Sequence, residues 1–454
     1  MLQTVILASA LALAAAAHAQ ESKAAPVAET KSAIKPLAFT EYDLPNGLHV
    51  ILHENHAAPV VSTYVLYHVG SKNERPDRTG FAHFFEHLMF EGSENIPRSR
   101  IDKLISGAGG NLNASTSFDV TDYFFNLPQN QLALALWIES ERMLHNRIDE
   151  TGVETQRQVV KEERRMRYDN QPYGSLFEQL CKMVFAGTSY EWTPIGSTQY
   201  IDQAQIGEFR EFWKTYYMPN NATLAIAGNF KTEDAKKLVA DYFGDIPKGT
   251  APKRPVVKLT PPKKPVLVEV KESKTPLPAA MHAWVACPET DPDAVALDLL
   301  ADILASGRSS RLYRRLVDRE QAAVAAQAFP VLFESAGLIG VFATGNRGVT
   351  LEKLDQLIDE EVEKVKAEGV TEDEFTKALN GKEDELARDN SQMSARARNL
   401  ARARLTWGKT SEVNGELDRY LAVKREDLKR VANKYLIKEQ TYRLHYPVAE
   451  APAK

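Results

Sequence analysis

Residues 79–90 read Thr-Gly-Phe-Ala-His-Phe-Phe-Glu-His-Leu-Met-Phe, two histidines and a glutamate inside an otherwise apolar segment. The order is His-x-x-Glu-His, the reverse of the commoner His-Glu-x-x-His metal motif. On a helical wheel of about 100° per residue with His83 at zero, Glu86 falls at roughly −60° and His87 at roughly +40°. Phe81, Phe85, Leu88 and Met89 gather between roughly 140° and 240°. Three ionisable groups thus share one stripe, and the opposite stripe belongs in a core. Imidazoles one turn apart can chelate a single Zn²⁺, and a carboxylate beside them can handle a water proton. The competing reading is a pair of core histidines. Burying two of them with a glutamate among phenylalanines is costly without a metal or partner.

A second segment, Val153 to Met166, has helical periodicity starting after Gly152. With Val160 at zero, Val153 falls at roughly +20°, Val159 at roughly −100°, Met166 at roughly −120° and Glu163 at roughly −60°. Glu163 is therefore predicted in the middle of the buried face, while Glu162, at roughly 200°, points away. A bound cation is one reason for a charge there; an ion pair to an arginine is the other.

The elements that must position these groups follow from the chain order. Strand patterns at 38–51, broken by Pro45-Asn46-Gly47, and at 60–69 precede the motif. A helix from Ser99 to Ser106 stops at a glycine run, and Val120 to Leu127 is rich in β-formers. Between them, residues 111–119 are too small and polar for a central strand. They fit either an ordinary strand or an edge strand whose backbone is free to pair with an extended peptide. Helices are expected at 131–145, through Met183, at 205–217 and at 232–243, with a strand at 222–227.

The chain has 454 residues, 43% hydrophobic and 26% charged, with a formal net charge of −5. That length calls for two or more domains. The charge gives no reason to expect nucleic acid, and no run beyond the N-terminus is long and apolar enough to span a membrane. The apolar run Val5 to Ala17, ending in Ala17-His18-Ala19, reads as a signal peptide over 1–19 and implies export to a periplasm or beyond. Residues 20–37 read as a flexible tether. Cys181 and Cys287 are the two cysteines, and either a disulfide or two free thiols fits an exported chain.

Six prolines and six basic residues between 247 and 265 mark a linker with a solvated surface. The stretches either side show weak internal repetition. Tyr217 recurs as Tyr435 at the same interval that separates Thr223 from Thr441, and Pro59 and Pro276 are spaced by nearly that interval. This predicts an α+β fold of two homologous α/β-sandwich domains in tandem, of about 200 residues each, at 38–246 and 266–448. The second copy lacks the metal motif and reads Asp-Ala-Val-Ala-Leu-Asp-Leu-Leu from Asp293.

From about residue 38 to 448 the chain resembles the pitrilysin (insulinase) metallopeptidases, particularly their half-length, processing-peptidase-like members. The resemblance implies one Zn²⁺ per chain held by His83, His87 and Glu163, the last at the family's ligand spacing beyond the second histidine. It implies Glu86 as general base and a substrate-binding edge strand carrying Asn113, Ala114 and Ser115. It also implies half of a clamshell enclosing peptides or unfolded segments. Some members carry a further acid behind the ligands where this chain has Gln156. Gly307 to Tyr313 looks like the second-half signature. Active members follow that signature with an Arg-x6-Tyr pair that holds the substrate carbonyl; the matching places here are Val317 and Val324. The expectation is a zinc endopeptidase subunit in a heterodimer with a homologous subunit carrying Arg-x6-Tyr. The alternative is a non-catalytic assembly or peptide-binding subunit.

Overall fold

The computed structural model describes residues 34–449. The signal segment at 1–19 and most of the tether lie outside the described residues. From Pro36 on, the chain is one unit built around two sheets. The first holds β1 (Thr40–Asp43), β2 (His49–Glu54), β3 (Val60–Tyr67), β4 (Asn111–Thr116), β5 (Thr121–Pro128) and β6 (Ala222–Gly228), ordered β1-β2-β6-β3-β5-β4. The second holds β7 (Val266–Glu269), β8 (Ala279–Ala286), β9 (Ala323–Leu332), β10 (Gly337–Gly345) and β11 (Tyr442–Tyr446), ordered β7-β11-β8-β10-β9.

Without β1 the two sheets have one topology. β2 pairs β6 in parallel, as β7 pairs β11, and every other neighbouring pair is antiparallel. The expected tandem duplication is therefore present, and it is plainer in strand order than in the few matching residues.

Alternation along the strands of the first sheet decides what covers each face. Val50, Leu52, Val65, Tyr67, Leu224 and Ile226 point to one core, which contains the helix α1 (Phe81–Leu88). Ile51, Tyr64, Leu66, Ala225 and Ala227 point to the other. That second face is covered by Ala397, Leu400, Ala401 and Ala403, on the helix Met393–Trp407 from the far end of the chain. Alanines on both sides let helix and sheet approach closely. The second sheet is covered in the reciprocal way: Leu180, Cys181 and Val184 of the helix Leu176–Val184 pack on Met281, Ala283, Leu338 and Leu444. Each half thus lends a helix to the other half's sheet.

Two expectations about the connecting segments need correcting. Residues 247–265 contain no helix or strand, but their surface is not simply solvated. Val257 is buried, and Arg254 donates to Asn221 Oδ1 at 2.5 Å and to the His68 carbonyl. The end of the tether is also tied down: Leu37 is buried, and its N–H and carbonyl bond the Asn414 side chain at 2.7 and 3.0 Å. Cys181 and Cys287 are both buried and free.

The helix exchange makes a prediction. Leu400→Ala should cost about 2–5 kcal/mol, the usual range for a buried leucine, and lower the temperature of a single unfolding transition monitored by circular dichroism. Two transitions, with only the later-sequence half destabilised, would contradict the exchange.

Candidate metal centre

The motif helix is α1, two turns long, and its apolar residues are buried as the wheel requires: Phe81, Ala82, Phe84, Phe85 and Leu88. Phe81 and Phe84 stack on Phe209 with centroids 4.7 and 4.5 Å apart, and Phe85 lies 4.3 Å from Tyr217. The helix has no side-chain cap of its own, because Gly80 precedes it with φ near +96°. Glu74 fills that role from an upstream turn. Its buried carboxylate accepts the N–H groups of Gly80 at 2.9 Å and Ala82 at 2.7 Å, and the Trp192 indole N–H at 3.0 Å. Burial raises the pKa of Glu74, and the N–H donors of the helix start oppose that rise. Gly196 packs directly on Gly80, where any Cβ would overlap the backbone of the helix entry.

The third candidate ligand comes from the helix Glu150–Arg164. It begins a turn earlier than expected because Asp149 caps it, accepting from Gly152 N at 2.8 Å. Val153 and Val160 are buried as expected. Val159 and Met166 are not; they are 44% and 55% exposed. Their stripe faces a cavity of about 860 Å³ lined also by His83, Glu86, His87, Glu163 and residues 113–116. The wheel found the stripe but took a cavity wall for core.

His83, His87 and Glu163 are brought together. His83 Nε2 and His87 Nε2 are 3.3 Å apart, and Glu163 Oε2 lies 3.5 Å from the first and 3.2 Å from the second. A tetrahedral ion bonded at about 2.0–2.1 Å sets its ligand atoms about 3.3–3.4 Å apart. The triangle therefore fits Zn²⁺ in size as well as in donor chemistry. Among the described residues it is the one group of three or more possible ligands this close. Arg167 binds the other oxygen, Glu163 Oε1, at 2.8 Å, which leaves Oε2 turned to the histidines. The two reasons offered for a charge at 163 are thus compatible, one per oxygen.

The electrostatics agree with ligand duty. Burial, followed by the neighbouring His87, lowers the pKa of His83 to about 4, so its lone pair is free. The His87 imidazole, 3.2 Å from Oε2, holds the Glu163 carboxyl below its usual range. Burial pushes Glu86 up to about 7, and a 2.5 Å hydrogen bond from Thr116 Oγ1 opposes it.

Gln156 lies behind His87, its Oε1 3.2 Å from Nδ1. Asn113, Ala114 and Ser115 stand on β4, which is the outer strand of the sheet beside β5. Exposure alternates along it, with Asn111, Asn113 and Ser115 outward. Ser115 Oγ donates to Asp122 at 2.9 Å and is partly committed. Thr116, which bonds Glu86, and Glu74, which caps α1, have roles that the sequence reading does not assign. Thr116 shares the inward parity of Leu112 and Ala114, so the period of two is an available signal. Nothing in the sequence near Glu74 marks it as a cap for a helix that starts further along the chain. The places expected for an Arg and a Tyr hold Val317, half-buried, and Val324, 47% exposed at the start of β9.

Residues 49–196 match the family model for insulinase (peptidase family M16), and 204–382 match that for the peptidase M16 inactive domain. A Helicobacter pylori protein, zinc protease PqqE, is 32% identical over 400 residues, covering 86% of this chain and 89% of that one. The chain belongs to the M16 peptidase family. It is a half-length member: the probable mitochondrial-processing peptidase subunit beta of Arabidopsis thaliana is 28% identical over 87% of this chain and 75% of its own length. The crystal structure of a protease from Helicobacter pylori superposes with a TM-score of 0.87 at 28% identity, covering 91% of this chain and all (100%) of that one. The M16 inactive domain from Pseudomonas fluorescens, at 18% identity and a TM-score of 0.80, shares the fold. At family level this is a protease, and relatives such as PqqE are named zinc proteases.

The Glu74 cap is testable. Glu74→Ala removes the acceptor for the two buried N–H groups of Gly80 and Ala82 and should destabilise the protein by about 1–3 kcal/mol, measured by urea unfolding. Glu74→Gln, which keeps one carbonyl acceptor, should lose less. Equal stability of all three forms would show that the helix start is held by packing alone.

Proposed function

We propose that this M16 chain is a zinc-dependent endopeptidase acting on peptides or unfolded segments. The observation that supports this most is the ligand triangle of His83, His87 and Glu163, with Glu86 on the same helix stripe at the same cavity. One Zn²⁺ held there supplies Lewis acidity, lowering the pKa of water and polarising a carbonyl. Glu86 takes the proton of the attacking water and carries it to the leaving amine. Its raised pKa suits a group that must both accept and release a proton near neutrality. Thr116 holds the Glu86 carboxylate through one oxygen and so fixes its direction. The substrate backbone pairs with the free edge of β4 along Asn113 to Ser115, adding a strand to the first sheet. Val159 and Met166 wall the same cavity.

The reading extends to a partner. Val317 and Val324 cannot donate hydrogen bonds to a developing oxyanion, so a homologous subunit carrying Arg-x6-Tyr supplies that pair in a heterodimer. Exported and periplasmic residence is part of the same proposal and rests on the apolar N-terminal run. Among the described residues no helix is long and apolar enough to cross a membrane. A non-catalytic role draws support from the inactive-domain match, but that match covers 204–382, beyond the ligands.

Glu86→Gln should keep one zinc per chain, measured by atomic absorption, and slow hydrolysis of an unstructured peptide by about 10²–10⁴. A near-native rate in that variant would remove the mechanism, and a native chain without stoichiometric zinc would favour the non-catalytic role. The isolated chain should cleave weakly, and adding an Arg-x6-Tyr subunit should raise turnover by about 10²–10³. Full activity of the chain alone would remove the heterodimer.

A further inference from the structure

Behind His87 a line of polar groups with the buried Glu91 at its centre runs away from the cavity. Gln156 Oε1 faces His87 Nδ1 at 3.2 Å, and Gln156 Nε2 donates to Glu91 Oε1 at 2.5 Å. Glu91 is 4% exposed, and its other oxygen pairs with Arg98. Arg98 in turn reaches Asp149 Oδ1 at 2.6 Å, the residue that caps the ligand helix. The line therefore joins the end of α1 to the start of the helix bearing Glu163.

An amide is ambiguous next to an imidazole. Rotated by half a turn, it would offer its NH₂ to His87 Nδ1 and favour the tautomer with the proton on Nε2. That nitrogen could not then bind a metal. The carboxylate of Glu91 removes the ambiguity because it only accepts. It draws the amide NH₂ to itself and turns the amide oxygen towards His87. That orientation favours the proton on Nδ1, which leaves the Nε2 lone pair for an ion shared with His83 Nε2 and Glu163 Oε2. Among the described residues no such partner serves the other histidine, whose Nδ1 is buried with no hydrogen bond.

We infer that Glu91, acting through Gln156 and paired with Arg98, is a positioning residue that selects the metal-binding tautomer of His87. The inference rests on the zinc reading above. It assigns the orienting charge to a residue on the exit of α1, one group further from the imidazole than a direct carboxylate would be.

A charge swap tests it in the full-length chain. Glu91→Gln leaves the amide of Gln156 free to turn. Gln156→Glu sets two carboxylates against each other. Each should weaken zinc binding by about 10- to 100-fold, the usual effect of losing a group behind a ligand, measured by competition with a chromophoric chelator. The double variant Glu91→Gln/Gln156→Glu restores one carboxylate and one amide in reversed order, and should return to within about threefold of native. Histidine-selective ¹⁵N NMR of the metal-free chain in a Glu163→Ala background, which removes the carboxylate facing Nε2, gives a readout independent of metal and activity: His87 should carry its proton on Nδ1 when Glu91 and Gln156 are otherwise intact and in the double variant, and show mixed tautomers in Glu91→Gln. Native zinc affinity and an unmixed tautomer in Glu91→Gln would overturn the inference, as would a double variant no better than its worse parent. If the native chain bound no zinc, the proposed function would fall, while the tautomer of His87 would still decide this point.

Discussion

The packing of α1 against the helix Glu150–Arg164 is the contact on which the site depends. A free helix of eight residues is far too short to hold in water. Yet two ligands and the general base of the proposed mechanism lie on it, and the third ligand must meet them at about 3.3 Å spacing. The surroundings of α1 answer that demand at each end. Glu74 and the Gly80–Gly196 contact pin its start, stacked aromatics pin its back, and the Gln156–Glu91–Arg98–Asp149 line ties its exit to the start of the neighbouring helix. The ligand atoms can then converge before any ion arrives, which is what a preorganised site requires.

The same logic extends to the sheet beneath. β6 is buried along its whole length, so both of its faces need cover. α1 and its neighbours cover one, and the helix Met393–Trp407 covers the other. A metal site confined to the first half of the sequence therefore stands on a sheet whose second face is closed by the second half. The segment at 247–265 separates the strands of the two sheets, but their cores remain shared across it.

What could be read from sequence was whatever depends on local period. Helical spacing placed His83, Glu86 and His87 on one stripe, and singled out Glu163 over Glu162. Small polar residues marked β4 as a strand of unusual character. What could not be read depends on which surface meets which. The wheel gave Val159 and Met166 the right direction, but period cannot distinguish a core from a cavity wall. Glu74 and Glu91 look like surface acids in the sequence; only the tertiary fold aims one at a helix start and the other at an amide. The exchanged helices were equally invisible, since their alanines and leucines would suit any core.

The second half sharpens the functional argument by contrast. It repeats the sheet order of the first, and it places the helix Ala294–Ala305 in the same stretch of its repeat as α1. That helix is buried on nearly every side, and its polar groups are Asp298 and Asp302, which pair with Lys382. The scaffold was copied while its chemistry was not. Duplicating a sheet and its flanking helices gives each half a face for the other's helix, so the second copy contributes stability even with no ligand of its own. A catalytic role for it would require donors at the cavity. Val317 and Val324, at the places where an Arg and a Tyr are expected, have no polar side-chain atom to offer. On the function proposed above, a site with ligands and a base but without a donor pair for the oxyanion would be complete for binding a metal and incomplete for turnover. That asymmetry within one chain is the physical reason to look for the missing donors on another.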